Sequence, residues 1–230
     1  LARGLATSPL AAGPTRLASL HPPAASEAAA ELLTLARRTL ETLEPAWGRV
    51  ALSDLYIVAC PMLDGLGVAA LPGVVLVPAA LFRGEAPALA KDVVGALLAR
   101  HPAPREGLAF AVARAVAAQW WLGRGADVAT RVVLEDGIAA AGALRVLAGS
   151  QGDKVARRAK DLGLTLPIQM GLYGKIDPVL ATLGERTSNA TFKAGLFGAE
   201  LERHLSETLL DEALRGLAAG PRTLPELRAA

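Results

Sequence analysis

The side chains best suited to catalysis or metal binding are few in this chain and lie far apart. The 230 residues include three histidines, His21, His101 and His204, and one cysteine, Cys60. No two histidines are spaced to share a helix face, so a histidine zinc site would need ligands from distant segments. A single cysteine excludes an internal disulfide and any zinc cluster built from several cysteines. His21 and His101 each precede a proline and are expected in loops, whereas His204 is expected at a solvated helix position.

A glycine-rich segment follows the run 54–60, which is predicted to be a strand. Gly65, Gly67 and Ala70 match the dinucleotide-binding pattern G-x-G-x-x-G/A. That loop binds a pyrophosphate only where it leads into the N-terminus of a helix. Here residues 71–73 lead into a second predicted strand, so dinucleotide binding is not expected.

The charge and hydropathy of the chain exclude two further classes of function. With 24 basic and 22 acidic residues the formal charge is +2, which supplies no basic field for binding nucleic acid. The mean hydropathy of +0.36 raises the question of a membrane span. However, the charge-free run 65–82 contains Pro72 and Pro78, and the apolar run 107–123 has Arg114 at its centre. We therefore expect no span in this chain, although a longer parent protein could have one, and the compartment is left open.

The composition predicts one structured domain. Residues 1–25 mix Ala, Pro, Gly and Ser without a sustained period, which indicates a linker or an extended segment. Residues 26–230 are expected to form a single domain, since 52% of the chain is hydrophobic and can fill a core. Within that domain, residues 26–150 would supply the sheet and the site helices, and residues 151–230 a helical lobe.

The hydrophobic periodicity predicts a small sheet near the front, followed mainly by helices. An amphipathic helix is expected from Ser26, as its N-cap, to Pro45 at the latest. Two short β-rich runs, 54–60 and 73–77, are predicted to be strands. Further helices are predicted at 87–100, 105–122, 131–148, 152–161, 176–183, 190–205, 207–218 and 223–229. The fold class is therefore predicted to be α+β.

The segment 113–121, with the sequence ARAVAAQWW, resembles a known metal-binding helix. It is similar to the zinc helix of the aminopeptidase N family of gluzincin zinc metallopeptidases, whose pattern is V-x-H-E-x-x-H-Q-W-W/F-G. The Q-W-W part, residues 119–121, is kept. In that family the two histidines bind zinc and the glutamate is the general base. The matching positions here hold Arg114, Ala118 and Ala115, so the resemblance implies a thermolysin-like domain with a degenerate site.

Two downstream segments resemble other motifs of the same family, in the same order. Residues 133–137, VLEDG, are similar to the W-L-N-E-G segment that supplies the third zinc ligand. That match places Asp136 at the glutamate position, with the spacing one residue short. Residues 190–195, ATFKAG, are similar to the P-x-Y-E-K-G segment whose tyrosine stabilises the oxyanion. Phe192 stands at the tyrosine position.

An upstream segment resembles the loop that recognises the free amino group of the substrate. Residues 67–73, GVAALPG, are similar to G-A-M-E-N-P-G and keep its glycines as Gly67 and Gly73. Ala70 stands where the family has the glutamate that binds the amine. The resemblance as a whole runs from about Ser26 to the end of the chain and covers only the thermolysin-like catalytic domain of that family.

The substitutions imply a domain without peptidase chemistry. Zinc takes about four nitrogen, oxygen or sulfur ligands, and the aligned positions offer one carboxylate, two methyl groups and a guanidinium. We therefore expect no metal and no cofactor, and a non-catalytic metallopeptidase-like domain that acts as a binding or scaffolding module. It would belong to a larger protein or assembly and bind a protein or peptide partner. The alternative is a divergent zinc aminopeptidase whose zinc ligands lie at positions that these motifs do not identify.

The family's site geometry also predicts a replacement for the metal. The first histidine and the distant glutamate converge on one ion there, so Arg114 and Asp136 should face each other in one cleft and form an ion pair. Glu135 takes the acidic place if the spacing shifts by one residue. The alternative is that Arg114 extends along the helix surface to water. Trp120 and Trp121 are expected to pack in the core.

Overall fold

The computed structural model describes residues 5–12, 14–63, 68–82, 104–125, 127–161, 188–205 and 207–217. The helices predicted at 87–100, 176–183 and 223–229 lie outside these residues, as do Gly67 and His101. In the described part of the chain, no helix is long and apolar enough to cross a bilayer.

A five-stranded mixed sheet forms the front of the domain. Its strands are β1 (Ala6–Ala12), β2 (Thr15–His21), β3 (Asp54–Cys60), β4 (Ala69–Leu71) and β5 (Val74–Pro78). Their order across the sheet is β1-β2-β3-β5-β4. The three central strands are parallel, and the edge strands β1 and β4 each pair antiparallel with their neighbour.

Helices make up most of the rest of the described chain. They are α1 (Ser26–Trp47), α2 (Ala79–Phe82), α3 (Pro104–Ala117), α4 (Val128–Arg131), α5 (Ala139–Gln151), α6 (Asp153–Lys160), α7 (Ser188–His204) and α8 (Glu207–Leu217). A 3₁₀ turn, Ala118–Trp120, continues α3, and a π-helical segment, Val132–Ile138, joins α4 to α5. A small sheet with a mainly helical remainder confirms the predicted α+β class.

Helix α1 links β2 to β3 and packs on one face of the sheet. Its apolar stripe, which includes Leu32, Leu40 and Leu43, is buried, and each such leucine contributes about 1.5–3 kcal/mol. Ser26 is the first helical residue, and the N-cap is Ala25 rather than Ser26 as predicted. The Ser26 hydroxyl donates a hydrogen bond to Pro23 O and does not cap the helix.

The predicted end of α1 at Pro45 is wrong. The helix continues through the proline to Trp47, which is buried together with Ala46. A proline in the last turn removes only one N–H donor, and the burial of the following residues outweighs that loss. Gly48, at φ +82°, ends the helix, and its N–H donates to Glu44 O at 3.0 Å.

Strand β2 lies inside the sheet, in a region that the composition assigns to a linker or an extended segment. Its buried positions are Thr15, Leu17, Ser19 and His21. Three of these four residues are polar, so the alternation of a half-buried strand is invisible in the hydropathy pattern. The packed domain therefore begins before Ser26.

Three tryptophans form an aromatic cluster in the core of the domain. The ring of Trp47 lies 5.7 Å from that of Trp120 and 5.4 Å from that of Trp121, measured between centroids. The indole N–H of Trp120 donates to Gly48 O at 2.7 Å. Gly142 on α5 is required here because a Cβ at that position would overlap the Trp47 ring. The prediction that Trp120 and Trp121 belong to the core is confirmed.

Candidate functional site

A cavity of about 260 Å³ lies where β4, α3 and the π segment meet. Eight of its described lining residues come from the three segments that resemble family motifs around the zinc site and the amine-binding loop. They are Val68, Ala69, Ala70, Arg114, Ala115, Ala118, Glu135 and Asp136. Residues up to 68 positions apart in sequence thus converge on one small volume.

Helical periodicity explains the contribution of α3 and its 3₁₀ extension. Arg114 and Ala118 are four residues apart and so lie on one face, with Ala115 beside them. Ala111, one turn earlier, lines the cavity as well. The methyl groups of these alanines form an apolar wall, and the guanidinium of Arg114 is the polar group on it.

Strand β4 is held over the end of α3 by a glutamine that the sequence analysis noted only as part of the kept Q-W-W motif, without a structural role. Gln119, only 8% exposed, accepts a hydrogen bond from Gly73 N–H at 2.9 Å and donates from Nε2 to Leu71 O at 3.1 Å. Both contacts lie at the turn between β4 and β5, where Gly73 has φ +71°. These bonds fix the hairpin that carries Ala70. The available signal was a glutamine at the end of an apolar run, next to the tryptophan pair.

The π segment supplies the acidic side of the cavity. Glu135 and Asp136 are 5% and 6% exposed, and both line the cavity. Glu135 Oε1 accepts a hydrogen bond from Gly123 N–H at 3.2 Å, which ties the turn after Trp121 to the site. Successive side chains of a π-helix diverge less in direction than those of an α-helix. Two consecutive carboxylates therefore reach the same volume.

Close packing against α7 fixes the position of the π segment. A Cβ on Gly137 would lie 2.8 Å from Ala194 O, and a Cβ on Gly198 would overlap the carbonyl of Gly137. Backbone meets backbone at this crossing because both glycines lack side chains. The position of the two carboxylates thus depends on a contact with a helix more than 50 residues away in sequence.

The cavity combines a half-buried cation with two buried carboxylates. Arg114, Glu135 and Asp136 are each engaged in at least one polar or electrostatic interaction. Burying ionised groups is costly unless they are paired or hydrogen bonded. The structure brings Arg114 and Asp136 to one cavity, and their direct pairing remains a prediction.

The donor set of this lining does not fit a zinc ion. Zinc sites in proteins use imidazole, thiolate and carboxylate ligands. Among the described lining residues there are two carboxylates, one guanidinium without a usable lone pair, and apolar side chains. Nowhere among the described residues do three or more His, Cys, Asp or Glu side chains group in a way that could hold a metal ion.

The other residues singled out by sequence lie away from this cavity or outside the described part. Phe192 lies on α7, and its side chain is outside the described part. His204 is exposed at the end of α7, as predicted. Cys60, half-buried at the end of β3, belongs to a different part of the sheet.

The prediction of a loop position for His21 is wrong. It is the last residue of β2, and its side chain is fully buried. Its Nδ1 lies 2.8 Å from Pro22 O and its Nε2 lies 3.0 Å from Ser8 Oγ. Since a carbonyl only accepts, Nδ1 carries the proton and Nε2 accepts from the Ser8 hydroxyl. The histidine is a structural link between β1 and β2.

Comparison with solved structures identifies the architecture around this cavity. A crystal structure of a mutant M1 zinc metallopeptidase from Deinococcus radiodurans matches with a TM-score of 0.61 and 15% sequence identity. The chain shares its fold with M1 zinc metallopeptidases. A two-domain M1 zinc metallopeptidase mutant bound to L-arginine matches with the same score and identity. No family model matches the sequence, and no curated protein is significantly similar to it.

The extent of the M1 match matters as much as its score. It covers 98% of this chain but 48% of each neighbour, so the chain spans about half the length of these M1 structures. At 15% identity the likeness is one of fold. What the cavity does must therefore be argued from its own residues.

Proposed function

We propose that this chain is a non-catalytic M1-like domain that acts as a binding or scaffolding module for a protein or peptide partner, within a larger protein or assembly. The observation that carries the proposal is the lining of the cavity. By the resemblance, its residues stand at the positions of the metal ligands, the general base and the amine anchor, and Asp136 alone among them keeps a side chain of a suitable type.

Each replacement removes a separate requirement of metal-assisted peptide hydrolysis. Arg114 and Ala118 stand at the histidine positions, so the donor set lacks imidazole. Ala115 stands at the position of the general base, whose contribution is typically about 10²–10⁴-fold in rate. Phe192 has no hydroxyl for an oxyanion, a donor typically contributing about 10²–10³-fold. With all of these lost together, no partial hydrolytic mechanism is left.

Metal content and hydrolysis test the proposal directly. The purified chain should contain no stoichiometric zinc by elemental analysis, and it should release no product from aminoacyl-anilide substrates with or without added zinc. The alternative, a divergent zinc aminopeptidase with unrecognised ligands, predicts the reverse. One zinc per chain together with chelator-sensitive hydrolysis would refute the proposal.

We also propose that Arg114 and Asp136 form an ion pair where the family has its metal. Removing one partner of a buried pair typically costs about 3–5 kcal/mol, so Asp136→Ala should lower the free energy of unfolding by an amount of this order. Asp161→Ala, at an exposed position after α6, is the matched control and should change it by under about 0.5 kcal/mol.

A double-mutant cycle with Arg114→Met and Asp136→Asn separates pairing from general loss of packing. A coupling energy of about 1–3 kcal/mol is expected if the two side chains interact directly. Additive effects would instead favour an Arg114 that extends to water, and Glu135→Gln then tests the neighbouring carboxylate in the same way.

The binding role needs a defined partner. Affinity purification from the source organism should recover a protein whose interaction can be rebuilt from the two purified components. Substitutions of bulky residues at Ala111 or Ala118, which fill the cavity, should weaken that interaction if the partner uses the old cleft. An unchanged affinity would place the binding surface elsewhere on the domain.

A further inference from the structure

A second and larger cavity, of about 540 Å³, is lined by Gln119 and Trp120, and among the described residues it shares Leu122 with the Arg114 cavity. Most of its described walls come from two segments, residues 47–52 at and after the end of α1 and residues 119–124 in and after the 3₁₀ turn. Pro72 and Arg215 of α8 complete the described lining. Trp47 and Trp120 contribute indole surface to it. The volume lies in the range of small-molecule binding pockets, about 300–1,000 Å³.

The charged side chains in the described lining of this cavity are all arginines. Arg49, Arg124 and Arg215 line it, and its described lining includes no Asp or Glu. Arg49 is exposed and makes no ion pair with any residue in the described ranges. Clustered guanidinium groups beside an apolar wall produce a local positive potential and offer forked donors that match carboxylate and phosphate oxygens.

Two of the arginines are held in place by backbone carbonyls. Arg215 donates from Nε to Ala46 O at 2.7 Å and from Nη2 to Pro45 O at 3.0 Å. Arg124 donates from Nε to Trp120 O at 3.0 Å. A guanidinium fixed in this way loses less conformational freedom when it binds a ligand. The bonds from Arg215 also offset the partial negative charge at the C-terminal end of α1, which would otherwise repel an anion.

Backbone donors add to the side-chain donors. None of the N–H groups of residues 49–52 donates a hydrogen bond to another described residue, although Val50 is buried. Buried backbone N–H groups in folded proteins are nearly always paired. Residues 49–52 line the cavity, and no described residue accepts a hydrogen bond from their N–H groups.

We propose that this cavity binds a small organic anion, with its carboxylate or phosphate group on Arg49 and Arg215 and its apolar body against Trp120. The groups proposed to bind the anion do not line the Arg114 cavity, so failure of this proposal would leave the proposed function untouched. The ligand class follows from the lining: oxyanion donors on one side and indole surface on the other.

Intrinsic fluorescence tests the proposal because all three tryptophans of the chain lie in the cluster that borders this cavity. The full chain is titrated with phenyl phosphate and with phenylacetate, which distinguish the two anionic head groups, and with neutral benzyl alcohol. Saturable changes in emission are expected with at least one of the anions. Absence of saturation with both anions, or equal binding of benzyl alcohol, would overturn the proposal.

Paired variants locate the site. Arg49→Gln should weaken anion binding about tenfold or more, the loss expected for a charged hydrogen-bonding group. Arg49→Lys, which keeps the charge but loses the fork, should be intermediate. Arg38→Gln removes an exposed charge from α1 away from the cavity and should leave affinity unchanged. Equal loss in the Arg49→Gln and Arg38→Gln variants would show a general charge effect and refute the assignment.

Discussion

Gln119 makes a sharp test of how the site is positioned. Replacing it with alanine removes two hydrogen bonds between the end of α3 and the β4–β5 turn, to Gly73 N and Leu71 O. A hydrogen bond of this kind contributes about 0.5–1.5 kcal/mol net, so Gln119→Ala should lower the free energy of unfolding by about 1–3 kcal/mol. The upper half of that range applies if water does not reach the freed backbone groups.

The assay is chemical denaturation followed by tryptophan fluorescence, with Gln151→Ala as the control. Gln151 is exposed at the end of α5, and its replacement should change stability by under about 0.5 kcal/mol. If Gln119→Ala were no more destabilising than the control, the hairpin would be held by something other than this side chain, and the reasoning would fail.

Gln119→Glu tests the polarity of the two bonds. The carboxylate of the new glutamate still accepts a hydrogen bond from Gly73 N–H, but it cannot donate one to Leu71 O. Its negative charge would be buried next to that carbonyl oxygen, which disfavours the ionised form. The folded state should therefore raise the pKa of this glutamate above its ordinary value of about 4.3. Protonation restores the donor, so the stability deficit relative to Gln119 should shrink as pH falls through the raised pKa. A deficit independent of pH would contradict the assigned donor and acceptor.

Two further predictions concern packing and surface charge. Gly142→Ala should destabilise the fold by about 1–3 kcal/mol because its Cβ meets the Trp47 ring, whereas Gly149→Ala on the same helix, with open space around it, should be neutral or stabilising in thermal unfolding. Hydrogen bonds from Arg16 and from Ser53 lower the pKa of Asp54, so its carboxyl should titrate by NMR below its ordinary value of 3.8. The stabilisation from that pair is present above the unfolded pKa and is lost as pH falls through the lowered one, and Arg16→Gln should return the pKa toward 3.8.

The local pattern of the sequence predicted most elements within the described ranges. The strands at 54–60 and 73–77 match β3 and β5 closely, because both are mainly apolar, contain β-branched residues and end at a proline. Helices α6, α7 and α8 also lie within a few residues of their predicted bounds. The order of the motif-like segments along the chain predicted a metallopeptidase-like fold, and the comparison with M1 structures supports that fold.

Other features depend on contacts that no local pattern shows. Thr15, Ser19 and His21 are polar, yet the strand is buried because Thr15 and His21 make tertiary hydrogen bonds and the backbone pairs with β1 and β3. Gln119 gains its role from a turn 46 residues earlier in the chain. Residues 132–138 form a π-helical turn in place of a regular α-helix, and its backbone packs closely against Gly198. This turn brings Glu135 and Asp136 to the cavity together.

The sequence by itself determined the chemical types of the side chains that line the Arg114 cavity: a guanidinium, methyl groups and carboxylates. That these groups line one cavity was decided by the tertiary structure, because residues 70, 114 and 136 are brought together by the sheet, the hairpin bond of Gln119 and the crossing with α7. Side-chain chemistry is a local property, whereas the distance between remote side chains is set by the packing of the whole domain.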